Sequence, residues 1–301
     1  MRVHHLNCVC ACPLGGRWMD GRTRGVMERG ALCCHCLLVE SEQGLVLVDT
    51  GYGLRDVAQP GARLSKFFLA LMSPDFRAEM TAVRQIRQLG FHASDVRHIV
   101  LTHLDFDHAG GLDDFPQASV HMLRQEADDA IAQRSWLDRQ RFRPQQWKDR
   151  SRWRTYNAQA GEPWRGFDCV RQLKGLPPEI LMVPLAGHTL GHAGVVVQAD
   201  DGCLLQAGDA YFHRREMDAS PWCTPGLRAY QWMMEKDRAA RLGNQQRLRD
   251  LCAGGDPALT VFCAHDPVEF EKLARRQMGS PAAADYPSAT RVTAAMRSTS
   301  A

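Results

Sequence analysis

The hexapeptide His103-Leu104-Asp105-Phe106-Asp107-His108 puts four potential metal donors into six residues, and Gly110-Gly111 follows almost at once. A loop entered from a strand and left through glycines can present alternate side chains to one point while its backbone turns tightly. Imidazole and carboxylate together suit zinc, iron, manganese or cobalt better than an ion that prefers thiolates. Three further candidates stand alone: His188 in Gly187-His188-Thr189, Asp209 in Gly208-Asp209-Ala210, and His265 after the run LTVFCA. Each follows an apolar, strand-like stretch. Strands lying side by side would bring all of these residues into one cleft at one sheet edge.

The elements that must do the positioning can be read from the hydrophobic pattern. Residues 35–40 and 45–48 flank a Ser-Glu-Gln-Gly turn and read as a β-hairpin. A helix is expected over 79–89, closed by Gly90, and a buried strand over 97–101 that feeds the donor-rich loop. Short strands are expected at 119–123, 180–184, 194–198, 203–206 and 259–263, with helices from about 125, over 227–251 and over 267–276. The Trp- and Arg-rich stretch 136–164 shows little period and reads as the body of an insertion around 130–170. Residues 1–276 are thus expected to form one domain, and 277–301, rich in Ala, Ser, Pro and Thr, a flexible tail.

With 301 residues, 45% of them hydrophobic and 24% charged, the chain is of globular type. A formal charge of +3 implies neither a nucleic-acid surface nor a polybasic membrane footprint. No stretch approaches the roughly 18 apolar residues of a membrane helix. The start, MRVHHLNCVCACPLGG, lacks the apolar core of a secretory signal. Together with eleven cysteines, an odd number, this favours reduced thiols and a cytoplasmic location. The sequence leaves homodimerisation open.

The order HxDxDH, GH, GD and a final His resembles the metallo-β-lactamase-fold superfamily of metal-dependent hydrolases, over about residues 37–270 and including the LVLVDTG hairpin. The segments GHTLGHAG, GDAYF and AHDP are most similar to its N-acyl homoserine lactone lactonase-like branch. The resemblance implies an α/β fold, a four-layer αββα sandwich of two mixed β-sheets flanked by helices. It also implies a centre for two divalent metal ions, zinc first. One ion would take His103 and His188, the other Asp107, His108 and His265, and Asp209 would bridge them. The implied reaction is attack of a metal-bound hydroxide on a small-molecule lactone or ester. Asp107 is then a catalytic residue, and Tyr211 the donor of a phenolic hydrogen bond to the developing oxyanion. Asp49 and His192 read as residues that orient the ligands.

Asp105 stands where the family has its second histidine, which adds an anionic oxygen to the first metal's ligands. Two divalent ions bring four positive charges, which Asp107, Asp209 and one hydroxide reduce to one; Asp105 reduces the sum to zero. The expected consequence is a weaker Lewis acid, a bound water of higher pKa, and a preference shifted from zinc towards iron or manganese. A carboxylate here is also similar to the flavodiiron proteins, so a di-iron oxidoreductase is one alternative, although no flavodoxin-type domain is visible. A non-catalytic protein with a drifted centre is the other.

The surrounding segments suggest a substrate wall. Residues 64–72, LSKFFLALM, read either as a helix offering Phe67, Phe68 and Met72 to an acyl chain or as an ordinary core helix. Trp136, Trp147, Trp153 and Trp164 either line the opposite wall or dock a surface helix, and the arginines from Arg139 to Arg154 make that stretch basic enough for an anionic substrate. Cys8, Cys10, Cys12, Cys33, Cys34 and Cys36 match a structural metal site only loosely; buried thiols are the plainer account.

Overall fold

In most strands the side chains alternate between two apolar environments rather than between core and solvent, which dictates layers. A computed structural model describes residues 1–158, 161–169 and 173–278. Its first sheet runs in the order β1 (Arg2–Asn7), β2 (His35–Ser41), β3 (Gly44–Val48), β4 (Val96–Val100), β5 (Ser119–Leu123) and β6 (Trp153–Tyr156). Pairing is antiparallel up to β3 and parallel from there on. A small hairpin, β7 (Glu162–Trp164) and β8 (Phe167–Cys169), leads to the second sheet, ordered β12 (Leu259–Phe262), β11 (Gly202–Gln206), β10 (Ala193–Ala199), β9 (Ile180–Pro184).

Leu37, Val39, Val46 and Val48 of the first sheet pack with Met182, Val195 and Val197 of the second. Their strand neighbours Leu38, Leu45 and Leu47 point the other way. There they meet Ala82 and Ile86 of helix Ala82–Gln88 and Ala127 and Ala130 of helix Arg124–Ala132. On the outer face of the second sheet Leu181, Val183, Val196 and Leu205 pack with Leu248 of helix Arg238–Ala253. Helix, sheet, sheet, helix is the αββα sandwich that the resemblance implied, with two mixed sheets. Each fully buried aliphatic side chain contributes about 1.5–3 kcal/mol by leaving water, so strands buried on both faces are heavily committed.

Three elements differ from the sequence reading. Strand β1 was not expected, because RVHHLN reads as polar; His4 and His5 are admitted by partners, Glu40 Oε1 at 2.6 Å and His35 Nε2 at 2.8 Å. The helix expected over 227–251 is two, Pro225–Met234 and Arg238–Ala253. The break occurs where the Lys236 and Asp237 N–H groups turn to the Gly187 carbonyl and the Asp237 carboxylate caps the second helix. Strand β6 was not expected either: the stretch around 130–170, read as an insertion, supplies it to the edge of the first sheet and buries Phe142 and Trp147 in the core. Its Arg and Trp residues follow no period because they hold carbonyls and fill corners: Arg152, for one, donates to the Phe115 and Ala118 carbonyls. The expected tail, 277–301, lies outside the described residues apart from Gln277 and Met278, which end the last helix, Pro267–Met278. Among the described residues no helix is long and apolar enough to cross a membrane.

Candidate metal centre

All seven donors sit on loops that leave the C-terminal ends of strands β4, β9, β11 and β12, where the two sheets open. The loop after β4 closes on itself, with the His108 and Ala109 N–H groups both donating to the Asp105 carbonyl. After β11, Gly208 adopts φ 54°, and a Cβ there would lie 2.5 Å from His192 Nε2. Only glycine leaves that imidazole room to accept the Asp209 N–H, at 2.8 Å. His192 Nδ1 meanwhile donates to the Leu185 carbonyl at 3.0 Å. His192 therefore aims Asp209 and has no nitrogen left to offer an ion.

The donors fall into two sets that share Asp209. In one, His108 Nε2 and His265 Nε2 are 3.3 Å apart, Asp209 Oδ1 lies 3.4 and 3.1 Å from them, and Asp107 Oδ2 is 3.7 Å from His265. In the other, Asp105 Oδ2 lies 3.4 Å from His103 Nε2 and 3.0 Å from His188 Nε2, and Asp209 Oδ2 is 3.8 and 3.3 Å from the same nitrogens. A tetrahedral ion with bonds of about 2.1 Å needs donors about 3.4 Å apart, which is the spacing seen in both sets. His103 Nε2 and Asp209 Oδ1 are buried without a hydrogen-bond partner, a costly state that a cation would relieve. The residues present fit two ions. Burial pushes the Asp107 carboxyl up, and it pushes that of Asp209 up too, but the His265 and His108 imidazoles hold Asp209 well below the usual carboxylate range.

Three imidazoles are turned inward from behind. His108 Nδ1 donates to Asp49 Oδ2 at 2.9 Å, and His265 Nδ1 to the Cys33 carbonyl at 2.8 Å. Thr102 spends its proton on Asp49 Oδ2, so its oxygen accepts from His103 Nδ1 at 2.9 Å. Each bond fixes the tautomer that leaves Nε2 bare towards the centre. Asp49 itself holds φ 55°, a left-handed conformation that aspartate tolerates better than most residues, and its carboxylate takes both Thr102 and His108 at the two ends of the motif loop.

The fourth imidazole is treated differently. Arg141, completely buried, donates from Nε to Asp105 Oδ1 and from Nη2 to Asp105 Oδ2, both at 2.6 Å. Burial would raise the Asp105 carboxyl, but the Arg141 guanidinium and His103 beside it hold it well below its ordinary range. The charge reckoning from the sequence is therefore incomplete: Arg141 adds one positive charge, cancels Asp105 and returns the local sum to plus one. In the sequence Arg141 reads only as one of the arginines that make residues 139–154 basic. The usable signal was that a buried carboxylate demands a cation, though nothing said which of the nearby arginines would supply it.

Tyr211 is not brought to the centre. Its ring packs in the cluster beneath the second sheet, and its hydroxyl donates to Glu269 Oε1 at 3.0 Å, so it has no proton to offer a substrate. The phenol in the electrostatic field of the centre is Tyr230, which burial and then the carboxylates of Asp107, Asp105 and Asp209 push well up. Phe212 stacks on His265 at 5.3 Å and meets His188 at 5.7 Å. Glu126, also missed, accepts from the Leu104 N–H at 2.8 Å and from Thr189 Oγ1 at 2.5 Å, tying the first motif loop to the Gly187-His188 loop. Helix Lys66–Met72 sits over the motif loop, with the Phe68 ring tilted against Phe106 at 4.6 Å in the cluster that holds Phe212 and Tyr230. The N-terminal cysteines are free thiols, and among the described residues the donor groups capable of holding an ion contain His and Asp alone. Cys34 Sγ donates to the Asp107 carbonyl at 2.9 Å, so one thiol braces the centre from beneath.

This sandwich and this paired donor set define the class: the chain belongs to the metallo-β-lactamase superfamily, whose family model matches residues 29–265. It is 42% identical over 275 residues to a probable metallo-hydrolase of Mycobacterium tuberculosis, covering 91% of this chain and 83% of that one. It thereby stands among the metal-dependent hydrolases. An N-acyl homoserine lactonase of Bacillus thuringiensis is 24% identical over 242 residues, 80% of this chain and 83% of the relative. A solved N-acyl homoserine lactone hydrolase with N-hexanoyl-L-homoserine bound at its catalytic metal centre shares the fold, with TM-score 0.67 at 20% identity over 90% of this chain and 95% of its own. A dizinc quorum-quenching lactonase shares it at TM-score 0.58 and 16% identity, over 88% and 87%.

Proposed function

We propose that the protein opens a lactone, or cleaves an ester, of a small molecule at a binuclear centre, with zinc as the metal. The observation that carries this reading is the division of Asp209, whose two oxygens serve two separate donor sets at 3.1–3.4 Å and 3.3–3.8 Å. His103, Asp105 and His188 would hold one ion, Asp107, His108 and His265 the other, and Asp209 both. When bound, the ions supply the Lewis acidity and activation of water that hydrolysis of a carboxylic ester requires.

The chain's own residues do the rest. Asp107, 3.7 Å from His265 and 4.0 Å from His108, makes some of the loosest contacts among the carboxylates and is assigned the proton transfer to the leaving alcohol. Tyr230 takes the part expected of Tyr211, a hydrogen bond to the carbonyl oxygen as negative charge develops there. Phe68, Phe106, Phe212, Leu227 and Met234, clustered beside it, would receive an apolar acyl part and exclude water. The likeness to lactonases supports the choice of a lactone. Metal analysis of the untreated protein, combined with a screen of lactones, aryl esters and phosphodiesters, tests the reading. Two equivalents of zinc with lactone turnover are expected; phosphodiester turnover alone would overturn the substrate assignment.

A further inference from the structure

Arg141 does more than balance a charge. Besides the two bonds to Asp105, its Nη1 donates to the Met234 carbonyl at 2.6 Å and the His188 carbonyl at 3.3 Å, and its Nη2 lies 2.8 Å from His188 Nε2. That nitrogen is the His188 atom facing Asp105 Oδ2 at 3.0 Å and Asp209 Oδ2 at 3.3 Å. A neutral imidazole nitrogen has one lone pair; it can accept from Arg141 or bind a cation, but not both. In a deepening of the binuclear reading, on which it rests, we propose that Arg141 is a positioning residue of the His103–Asp105–His188 set. It cancels the charge of Asp105 and competes with the ion for His188, so that the ions load in sequence, the Asp107–His108–His265 set first.

The guanidinium cannot readily leave. It stays charged at any working pH, and the Met234 carbonyl that anchors it lies at the break between the two helices. The Gly187 carbonyl pins that same break, one residue from His188, by accepting from Lys236 and Asp237. The loop that carries His188 and the side chain that competes for it are thus held by one corner. In the other set each imidazole has its Nδ1 on a fixed acceptor and its Nε2 unopposed by a cation.

The test is a titration of the metal-depleted full chain with zinc by calorimetry, repeated with cobalt by visible absorption. Wild type is expected to show two classes of site separated tenfold or more. Arg141→Met frees both an anion and a lone pair and should tighten the weaker class at least ~10-fold, as removal of a unit charge a few ångström away implies at an effective dielectric of about 20. Arg141→Lys keeps the charge and should leave the separation wide. Should Arg141→Met fail to fold, Asp105→His/Arg141→Met removes both charges at no change in their sum; the weaker class should then hold or tighten. A tenfold loss in that double variant would mean that Asp105 acts with its charge uncancelled, and would overturn the inference. Two equal classes in wild type, unchanged by Arg141→Met, would overturn it while leaving the binuclear reading intact. Absence of any bound ion would remove both.

Discussion

The two halves of the centre are organised by different means. His108 and His265 are aimed from behind by Asp49 and by the Cys33 carbonyl, groups fixed at the ends of the first sheet. His188 has a buried Nδ1 without a partner, and its Nε2 is engaged from the front by Asp105 and Arg141. One half is thus preorganised by the sandwich itself, the other by an ion pair reaching in from the helix Trp136–Arg141. The first arrangement should tolerate change around it and fail only when a ligand is lost. The second should lose stability when Asp105 is lost, because Arg141 is then buried unpaired, whereas loss of Arg141 frees Asp105 and His188 for the ion.

The largest expected effect tests the preorganised half. His108→Ala or His265→Ala should abolish binding of the ion in that set and lower hydrolysis by orders of magnitude, with circular dichroism unchanged because the sandwich core does not depend on it. Metal analysis and turnover on the same preparation decide this; activity surviving in both variants would break the comparison at its root.

The ion-paired half should show its cost in stability. Asp105→Ala leaves Arg141 buried without its carboxylate, which breaking such pairs elsewhere puts at about 3–5 kcal/mol. Asp105→His alone should suffer likewise, whereas Asp105→His/Arg141→Met should recover most of the loss. Urea unfolding of the three variants measures this; additive losses in the double variant would show that the two residues do not act as a unit. By the same charge count, a downward shift of the pH–rate profile belongs to Asp105→His alone, which raises the local sum by one, and should vanish in Asp105→His/Arg141→Met, where the sum is unchanged.

A smaller effect should follow from the groups behind the imidazoles. Asp49→Asn retains the shape but exchanges a charged acceptor for an amide, and should weaken the ion at His108 about 10–100-fold. Thr102→Val removes only a neutral acceptor behind His103 and should cost less. Equal losses in the two would argue against a special role for the strained carboxylate of Asp49.

What the sequence could not disclose follows the same division. The strand-end donors were legible because ligand types recur after apolar runs; the strands themselves were legible from those runs, and their αββα layering from the resemblance the motifs carry. Asp49 and His192 were legible too, since the ligand set the resemblance implies is complete without them, and the structure has them holding His108 and the Asp209 N–H. Arg141 was not: a buried guanidinium looks the same in sequence as the exposed Arg139 two residues before it. Tyr211 misled for a related reason. Two residues from Asp209, it seemed close, yet its side chain drops beneath the sheet to Glu269, while Tyr230, about twenty residues later and within helix Pro225–Met234, packs on Phe212 in the field of the centre's carboxylates.

The smallest expected effect compares a buried carboxyl behind each half. Burial lifts Glu126 from 4.5 to about 7, and lifts Glu269, where Tyr211 and the Cys263 N–H meet it, from 4.5 to about 8. In both cases the folded protein holds a proton that the unfolded chain releases earlier. The stability from each is complete below pH about 4.5 and is lost as pH rises through the folded value. Glu126→Gln should therefore flatten the fall in Tm between about pH 4.5 and 7, and Glu269→Gln the fall that continues to about pH 8. Glutamine, like the protonated carboxyl, keeps one oxygen to accept from the Leu104 or Cys263 N–H and turns its NH2 to the Thr189 or Tyr211 hydroxyl oxygen, so the ionisation is removed with both contacts retained. If the Tm–pH curves of both variants overlay that of wild type, these carboxyls are already ionised in the fold, and the two halves rest on charges not counted among those that organise the centre.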